Sequence, residues 1–525
     1  MNNFPVYPPA VERWDLFEIT LSGPDDSTSF DRNITACFTC SEETVSVSGF
    51  YDGDGLYRIR FMPSFEGTYT FSVRCDFAES SYEGSFTSVP AGENNHGPVQ
   101  VRDGFHFRYA DGTPHYSLGT TCYVWNLMEK ELREKTLRTL ADAPFNKMRM
   151  CVFPKHYDYN LYDPESFPFE GTPCDISALT PENFPEYDVN SPMYVPDAHT
   201  NSWNFDRFNT AYFRQLDSCI LALMELGIEA DLILFHPYDR WGFSMMTRSR
   251  DERYLHYIIS RYAAFRNVWW SMANEYDLLK HKTTEDWHFI GNYVMREDPY
   301  GHLRSIHQCI VPFNHSAPWI THCSFQRTDT YLTTEKTDVW REQFGKPVIV
   351  DEFGYEGNVQ HGWGNLTAEE MIRRFWEATV RGGYAGHSET IIPADPAHRL
   401  DEPVWWSHGG QLKGKTAERI RFLKEVLETI PGGAGLKKFD HDWDDLCAVP
   451  EHEPADGSHV CSYYLLYYTF QAPSFRQFYF DDTTDFKVEV LDTWNMTVTD
   501  LGTMKGRFTV KLPGRPYMAI RIKAM

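Results

Sequence analysis

Two stretches decide the fold: VWWSMANEYD at residues 268–277 and KPVIVDEFGYEG at residues 346–357. Each is an apolar run followed by a glutamate, Glu275 in the first stretch and Glu352 in the second. Continuous apolar runs of this kind are typical of parallel strands that are buried on both faces. Carboxylates at the carboxyl ends of such strands point into the mouth of a barrel or sheet. We therefore expect Glu275 and Glu352 to face each other across one site.

Strand-like and helix-like segments alternate on both sides of these stretches. The predicted strands are 115–125, 145–153, 228–242, 268–277, 302–311, 319–326, 346–357 and 382–390. The predicted helices lie near 129–141, 206–226, 251–264, 284–297, 334–344, 367–381 and 415–429. This alternation predicts an α/β fold with a (β/α)8 TIM barrel, in which Glu275 ends strand four and Glu352 ends strand seven.

The rest of the chain has β patterning with turn residues between short alternating segments. We expect an N-terminal β-sandwich over 1–97, the barrel over 98–433 and a C-terminal β-sandwich over 434–525. Residues 156–204 lack clear periodicity and are too long for a simple connection, so they predict a functional loop over the site.

Composition narrows the choice of partners and location. The formal net charge of −25 argues against nucleic acid and anionic membranes as partners. The N-terminus shows no signal-peptide pattern, no apolar run is long enough to span a bilayer, and most of the 11 cysteines lie in apolar settings. These features predict a cytoplasmic protein and leave homo-oligomerisation open.

Two facing carboxylates suit glycoside hydrolysis, in which one group protonates the leaving oxygen and the other attacks the sugar carbon. Glu275 would need a raised pKa to act as acid, whereas Glu352 would have to stay ionised. Asp351 and Glu356 are rival nucleophiles, but the two-residue period of a strand predicts that Asp351 points to the opposite side from Glu352. This chemistry requires no cofactor and no metal.

The two strand-end motifs resemble clan A of the glycoside hydrolases, the 4/7 superfamily. The resemblance implies that Asn274-Glu275 supplies the acid/base, that Glu352 is the nucleophile, and that Arg149 and His236 are site residues at the ends of strands two and three. It also implies a His and a Tyr near strand six. His322 fits the first, but Ser324 or Phe325 stands where the tyrosine is expected, and Tyr331 is near enough to replace it.

The resemblance extends to the flanking regions. ERWDLFEITLSGP (12–24), DGLYRIRFMPSFEGTYTF (54–71) and GHSET (386–390) are similar to an uncharacterised group of three-part proteins distantly related to apiosidase-like enzymes. This likeness implies the fold and the reaction type but not the sugar, the linkage or the anomer.

Further residues near strand ends are candidates for sugar contacts. His387 and Glu389 follow strand eight, Trp406 lies soon after them, and Trp125 ends strand one. A tryptophan here could form the floor of the sugar site or pack in the barrel rim, and the histidines could equally be satisfied core residues. Asn274 could bind the sugar 2-OH, and Arg149 could stabilise Glu352 or only brace the barrel interior.

The function predicted from the sequence is retaining hydrolysis of O-glycosidic bonds in a carbohydrate substrate. The long loop favours a pocket and hence exo action on terminal sugars. One alternative is a non-catalytic carbohydrate-binding protein. The other is a metal-dependent hydrolase on the same barrel, drawing on His236, His307, His322 and His387, although the chain contains no HExxH motif.

Overall fold

The computed structural model describes residues 5–196, 200–440, 446–454 and 460–525. At its centre eight parallel strands form one sheet. Numbered in chain order from strand one to strand eight, they are Leu118–Thr121, Lys147–Cys151, Glu229–Ile233, Val268–Ser271, Arg304–Ser305, Cys323–Gln326, Val348–Glu352 and Tyr384–His387. Their order in the sheet is five, four, three, two, one, eight, seven, six.

The sheet curls into a nearly closed barrel. Strands five and six are its two edges, and the Thr321 N–H, just before strand six, donates to the Arg304 carbonyl at 2.9 Å. All pairings within the sheet are parallel, so the carboxyl ends of the strands meet at one mouth. The predicted TIM barrel is confirmed.

Helices follow the strands around the barrel. They are Lys130–Ala141, Thr210–Glu225, Arg248–Tyr262, Thr284–Glu297, Thr337–Phe344, Ala368–Val380, Trp405–His408 and Thr416–Leu427. The helix expected near 206 begins at Thr210, because Ser202–Phe208 is a strand and the Asn209 side chain caps the helix. Thr367 caps the sixth helix through the Glu370 N–H at 3.2 Å, as its sequence position predicts.

Two sheets precede the barrel, and all their strand pairs are antiparallel except that of Ala10–Glu12 with Tyr82–Val89. Their strands are Ala10–Glu12, Phe17–Ser22, Ile34–Thr39, Thr44–Ser48, Phe50–Tyr51, Leu56–Phe61, Gly67–Cys75 and Tyr82–Val89. They form a five-stranded and a three-stranded sheet around a core rich in Phe and Tyr. The Arg60 side chain joins this region to the barrel through Asp217 at 2.8 Å, and the same carboxylate accepts from Arg261 at 2.7 Å.

A small sheet of Val99–Arg102, His106–Tyr109 and Pro114–His115 lies under the base of the barrel. Val99 and Phe107 pack against Trp269 and Ile349, which belong to strands four and seven. Trp269 and Ile349 lie near the amino ends of their strands, so this sheet is at the end of the barrel opposite the mouth. The strand predicted over 115–125 is therefore two short strands, one in this sheet and one, Leu118–Thr121, in the barrel.

The chain beyond the barrel is again antiparallel. A six-stranded sheet contains, in sheet order, Leu436–Phe439, Cys447–Pro450, Tyr463–Tyr467, Met518–Ala524, Phe486–Asp492 and Thr497–Met504. A second sheet pairs Phe475–Tyr479 with Arg507–Lys511. These strands enclose their own apolar core. Within the described ranges, no helix combines the length and apolar character that crossing a membrane demands.

The long segment after strand two carries an antiparallel ribbon of Phe169–Thr172 and Ser202–Phe208. It packs on the loop that follows strand three. Arg240 Nη1 donates to His156 Nδ1 at 2.9 Å, Asn190 Nδ2 donates to Pro237 O at 2.7 Å, and Trp203 Nε1 donates to Trp241 O at 2.9 Å. The described part of this segment thus builds one wall of the barrel mouth, as its length suggested.

Candidate active site

Glu275 and Glu352 both lie at the barrel mouth and are nearly buried, at 4% and 6% exposure. Glu352 is the last residue of strand seven, and Glu275 follows strand four by four positions. The strand-end positions expected from the sequence therefore bring the two carboxyl groups to the same end of the barrel.

Two side chains link the two carboxyl groups. Asn274 Nδ2 donates to Glu275 Oε2 at 3.0 Å, and Asn274 Oδ1 accepts from Arg149 Nη2 at 2.9 Å. Arg149 Nη1 in turn donates to Glu352 Oε1 at 3.1 Å. The Tyr123 hydroxyl contacts Asn274 Oδ1 at 3.3 Å and donates to Glu352 Oε1. Glu275 and Glu352 are thus connected by three hydrogen bonds through two side chains, Asn274 and Arg149.

The surroundings of Glu352 favour its charged form. Burial opposes ionisation, but His307, Arg149 and Tyr123 outweigh it and hold the pKa of Glu352 below its ordinary value. His307 Nε2 lies 4.0 Å from Glu352 Oε1. Since burial lowers the pKa of His307 to about 4, this ring is neutral at neutral pH, and the guanidinium of Arg149 is the permanent charge beside Glu352.

The surroundings of Glu275 favour its neutral form. Burial, and then the negative charge of Glu352, raise the pKa of Glu275 above its ordinary value. Its direct contacts are neutral donors, among them the Tyr238 hydroxyl, Asn274 Nδ2 and the Gln326 side chain. Its backbone has φ 47° and ψ 53°, a left-handed conformation that costs a non-glycine residue on the order of 1–3 kcal/mol. Such strain is concentrated at functional sites.

Lys155 is a site residue that the sequence analysis missed. It follows strand two and is only 1% exposed. Its Nζ lies over the rings of Tyr123 at 3.7 Å, Trp406 at 4.1 Å and Tyr238 at 4.2 Å. Burial lowers the pKa of Lys155 to about 8, so its ammonium group remains charged at neutral pH.

Tyr355 was also missed, and His307 was named only for the metal-dependent alternative. Both His307 ring nitrogens and the Tyr355 hydroxyl are buried without a hydrogen-bond partner among the described residues. Burial, and then the charge of Glu352, raise the pKa of Tyr355. Unpartnered buried polar groups of this kind beside the two carboxyl groups suit contacts with substrate hydroxyl groups.

His236 and Trp406 lie at the mouth, as expected. His236 follows strand three, and its Nε2 lies 3.3 Å from the Phe153 carbonyl. Burial, and then the positive charge of Lys155, lower the pKa of His236 to about 3, which keeps the ring neutral. The Trp406 ring faces Lys155 and meets Tyr123 edge-on at 5.3 Å, and the indole N–H has no partner in the described ranges.

Trp125 and His387 do not face the cavity, which corrects the expectation for both. Trp125 Nε1 donates to Met150 Sδ at 3.1 Å, and His387 Nδ1 bonds Thr120 Oγ1 at 3.0 Å. Met150 neighbours the lumen-facing Arg149 along strand two and therefore points outward. Thr120 lies beside Met148 in the sheet and points outward as well. Both side chains pack between the strands and the helices.

Glu389 holds a loop instead of a substrate. Its Oε2 accepts from the Lys413 N–H at 2.8 Å and the Gly414 N–H at 3.0 Å, and burial raises its pKa to about 7. The rival nucleophile Glu356 is used in the same way. Its carboxylate accepts from the N–H groups of Lys415 at 2.9 Å and Thr416 at 3.0 Å, at the start of the last barrel helix.

The residues expected near strand six are corrected as well. His322 precedes the strand, so it lies at the base, where its ring contacts Phe107 at 5.7 Å and Trp269 at 5.3 Å. Tyr331 is 86% exposed to solvent. A hydroxyl donor to Glu352 is instead Tyr123, two residues after strand one.

Asp351 and Glu352 both face the barrel interior, although strand alternation predicts opposite directions. Asp351 Oδ1 accepts from Lys147 Nζ at 2.8 Å, while Glu352 contacts Arg149. The pairing of strands six and seven explains the difference, because Phe325 pairs with Val350 but the next residue pairs with Glu352. This bulge turns Glu352 into the mouth and leaves Asp351 in the ion cluster below.

The described residues contain no group of three or more His, Cys, Asp and Glu side chains arranged to hold a metal ion. Of the histidines behind the metal-dependent alternative, His322 lies at the base and His387 faces outward. What the mouth does contain is one carboxyl whose pKa is lowered, Glu352, beside one whose pKa is raised, Glu275, a pairing that suits a nucleophile and a proton donor.

The Apiosidase-like, catalytic domain family model matches residues 102–431. The flanking regions match two domains of unknown function, DUF5060 over 10–76 and DUF5605 over 443–523. A comparison with curated proteins gives no match.

Solved structures give further similarities. A candidate glycoside hydrolase from Bacteroides vulgatus ATCC 8482 is 36% identical, with 99% of this chain and 100% of that chain covered and a TM-score of 0.87. The endo-1,4-beta-D-mannanase of Thermotoga petrophila RKU-1 is 15% identical, with 59% and 100% covered and a TM-score of 0.37. The second similarity says nothing about the activity of this chain. By the extent of the family match, the chain belongs to the apiosidase-like catalytic domain family.

Proposed function

We propose that this glycosidase cleaves O-glycosidic bonds with retention of configuration, with Glu352 as nucleophile and Glu275 as acid/base. The observation that carries the proposal is the opposite bias of two linked carboxyl groups. Arg149 and Tyr123 favour the ionised form of Glu352, whereas burial and the charge of Glu352 favour the neutral form of Glu275. A retaining mechanism needs this distribution in the free enzyme.

In the first step, Glu275 gives its proton to the glycosidic oxygen while a Glu352 oxygen bonds to the anomeric carbon. The carbon–oxygen bond to the leaving group breaks, and the leaving group departs as an alcohol. In the second step, water attacks the anomeric carbon, Glu275 takes the water proton, and the ester bond to Glu352 breaks. Both glutamates return to their starting states.

The neighbouring residues supply the sugar contacts in this proposal. Asn274 uses one of its two N–H donors on Glu275 and retains a second for the sugar 2-OH. Arg149 and His236 border the site, and Trp406 offers a ring and an unpartnered indole N–H among the described residues. The wall formed by the segment after strand two favours a pocket and exo action on terminal sugars.

A panel of nitrophenyl glycosides, followed by proton NMR of the first-formed anomer on the best substrate, tests the proposal. Release of the same anomer as the substrate supports retention, and release of the opposite anomer contradicts it. Release of internal fragments from a polymer would contradict exo action. Binding without hydrolysis across the panel would favour the non-catalytic alternative.

A further inference from the structure

Lys155 has an unusual environment for a buried lysine. The three rings within 4.2 Å of its Nζ come from different parts of the mouth: Tyr123 after strand one, Tyr238 after strand three and Trp406 after strand eight. In the described parts of the chain, its ammonium group forms neither an ion pair nor a side-chain hydrogen bond. Aromatic faces partly offset the cost of burying this charge, but they leave its three N–H donors unused.

Two of these rings hold the two candidate catalytic groups. The Tyr123 hydroxyl donates to Glu352, and the Tyr238 hydroxyl donates to Glu275. One ammonium group therefore contacts the faces of both phenols whose hydroxyls bind the two carboxyl groups. The positive charge of Lys155 favours the ionised form of each glutamate.

Arg149, the other cation at the site, already forms hydrogen bonds to site residues. Its guanidinium donates to Glu352 and to Asn274. Glu275 has only neutral donors as direct contacts among the described residues. In the proposed first step, Glu352 loses its charge by forming an ester, and Glu275 gains one by losing its proton. The negative charge thus moves away from Arg149, toward the side where Lys155 is the available cation.

We propose that Lys155 is a positioning residue whose ammonium group, held on the faces of Tyr123 and Tyr238, stabilises whichever glutamate carries the negative charge as the reaction proceeds. This inference rests on the proposed function. It assigns a role in both steps to a side chain that touches neither glutamate directly.

Other titratable groups share this space and have to be considered in any pH test. Those that face Lys155 are Glu275, Glu352, Arg149, Cys151, His236, Tyr123, Tyr157 and Tyr238. Glu275 also faces Cys309 and the phenols of Tyr157 and Tyr238. Arg149 donates to Glu352, so replacing it would break a hydrogen bond to a glutamate. Lys155 forms no such bond in the described ranges, so its charge can be removed without that loss.

The test compares Lys155→Met with Lys155→Arg, using kcat/KM as a function of pH. Methionine keeps an unbranched apolar side chain among the rings but removes the charge. We expect Lys155→Met to shift the alkaline limb of the profile to higher pH by about one unit, because Glu275 would hold its proton more tightly. Activity lost at neutral pH should partly return at higher pH, and Lys155→Arg should restore the parental limb.

Two outcomes of these profiles would overturn the inference. One is a loss of kcat/KM by the same factor at every pH, which would indicate a structural role. The other is a rise in KM with no change in the profile, which would indicate direct contact with the substrate.

A titration that needs no turnover separates this inference from the proposed function. With 13C-labelled glutamate in a Glu352→Gln background, the Glu275 carboxyl resonance is assigned by its loss in Glu275→Gln. Adding Lys155→Met should raise the apparent pKa of that resonance, and an unchanged titration would overturn the inference. If the parent protein hydrolyses no glycoside, the proposed function fails while this titration still reports on Lys155.

Discussion

The candidate site contains two glutamates, Glu352 and Glu275, whose surroundings shift their pKa values in opposite directions. Glu352 ends strand seven at a bulge and accepts from Arg149 and Tyr123. Glu275 has a left-handed backbone and accepts from Tyr238 and Asn274. Both are almost completely buried. The main difference is the guanidinium at 3.1 Å from Glu352. Burial raises the pKa of both groups, whereas His307, Arg149 and Tyr123 bring the pKa of Glu352 below its ordinary value.

The largest expected effect is that of Glu352→Gln, which removes the only nucleophile in the proposal. We expect kcat/KM to fall by at least about 10⁴-fold, whatever the leaving group. Steady-state rates with the best nitrophenyl glycoside measure it. The matched control is Glu356→Gln, a rival in the same segment, which should keep its activity per folded molecule because Glu356 binds backbone N–H groups. Equal losses in both variants would contradict the assignment.

Glu275→Gln should have the next largest effect, and one that depends on the substrate. Loss of a general acid costs on the order of 10²–10⁴-fold when the leaving group needs a proton. With a dinitrophenyl leaving group, which departs without one, the first step should be nearly unaffected and a burst should precede slow turnover. The same loss with both kinds of leaving group would argue against an acid role for Glu275.

Tyr123 donates to Glu352 and Tyr238 donates to Glu275, so a change in each tyrosine tests one glutamate. Each Tyr→Phe change should cost about tenfold, the value of one hydrogen bond to such a group. Their pH signatures should differ. Tyr123→Phe should raise the pKa of Glu352 and move the acid limb of kcat/KM upward, since activity requires ionised Glu352. Tyr238→Phe should raise the pKa of Glu275 and move the alkaline limb upward. A shift of the same limb in both variants would contradict the assignment of different roles to Glu352 and Glu275.

The smallest expected effect is that of Tyr331→Phe. Tyr331 was expected to contact the nucleophile region, but it is 86% exposed. A surface change of this kind should leave kcat/KM within about twofold of the parent. A loss as large as that of Tyr123→Phe would indicate that Tyr331 contacts the nucleophile region after all.

The elements that the sequence predicted well are those defined by continuous apolar runs. The ends of strands two, four and seven locate Arg149, Glu275 and Glu352, because parallel strands bring their carboxyl ends together. The histidines were harder to predict. His322 was predicted to lie at the mouth, but strand six begins at Cys323, so His322 precedes the strand and lies at the base. His387 pairs with the outward-pointing Thr120 in the sheet and therefore points outward too.

Residues beyond the strand ends could not be predicted from periodicity. Lys155 and Tyr238 lie in irregular segments, where no repeating pattern indicates direction. Their placement depends on contacts between loops that are far apart in sequence. The bulge at Asp351 and Glu352 is a further case, since it follows from the pairing of strands six and seven and not from the apolar run itself.

The most direct measurement is to trap the covalent intermediate. The parent enzyme would be incubated with an activated 2-deoxy-2-fluoro glycoside of the sugar it hydrolyses, and the labelled residue located by peptide mass spectrometry. We predict stoichiometric labelling of Glu352, with Glu352→Gln unlabelled and Glu275→Gln still labelled. A label on another residue, or hydrolysis that proceeds without any labelled intermediate and with inversion of the anomer, would contradict the two-glutamate mechanism.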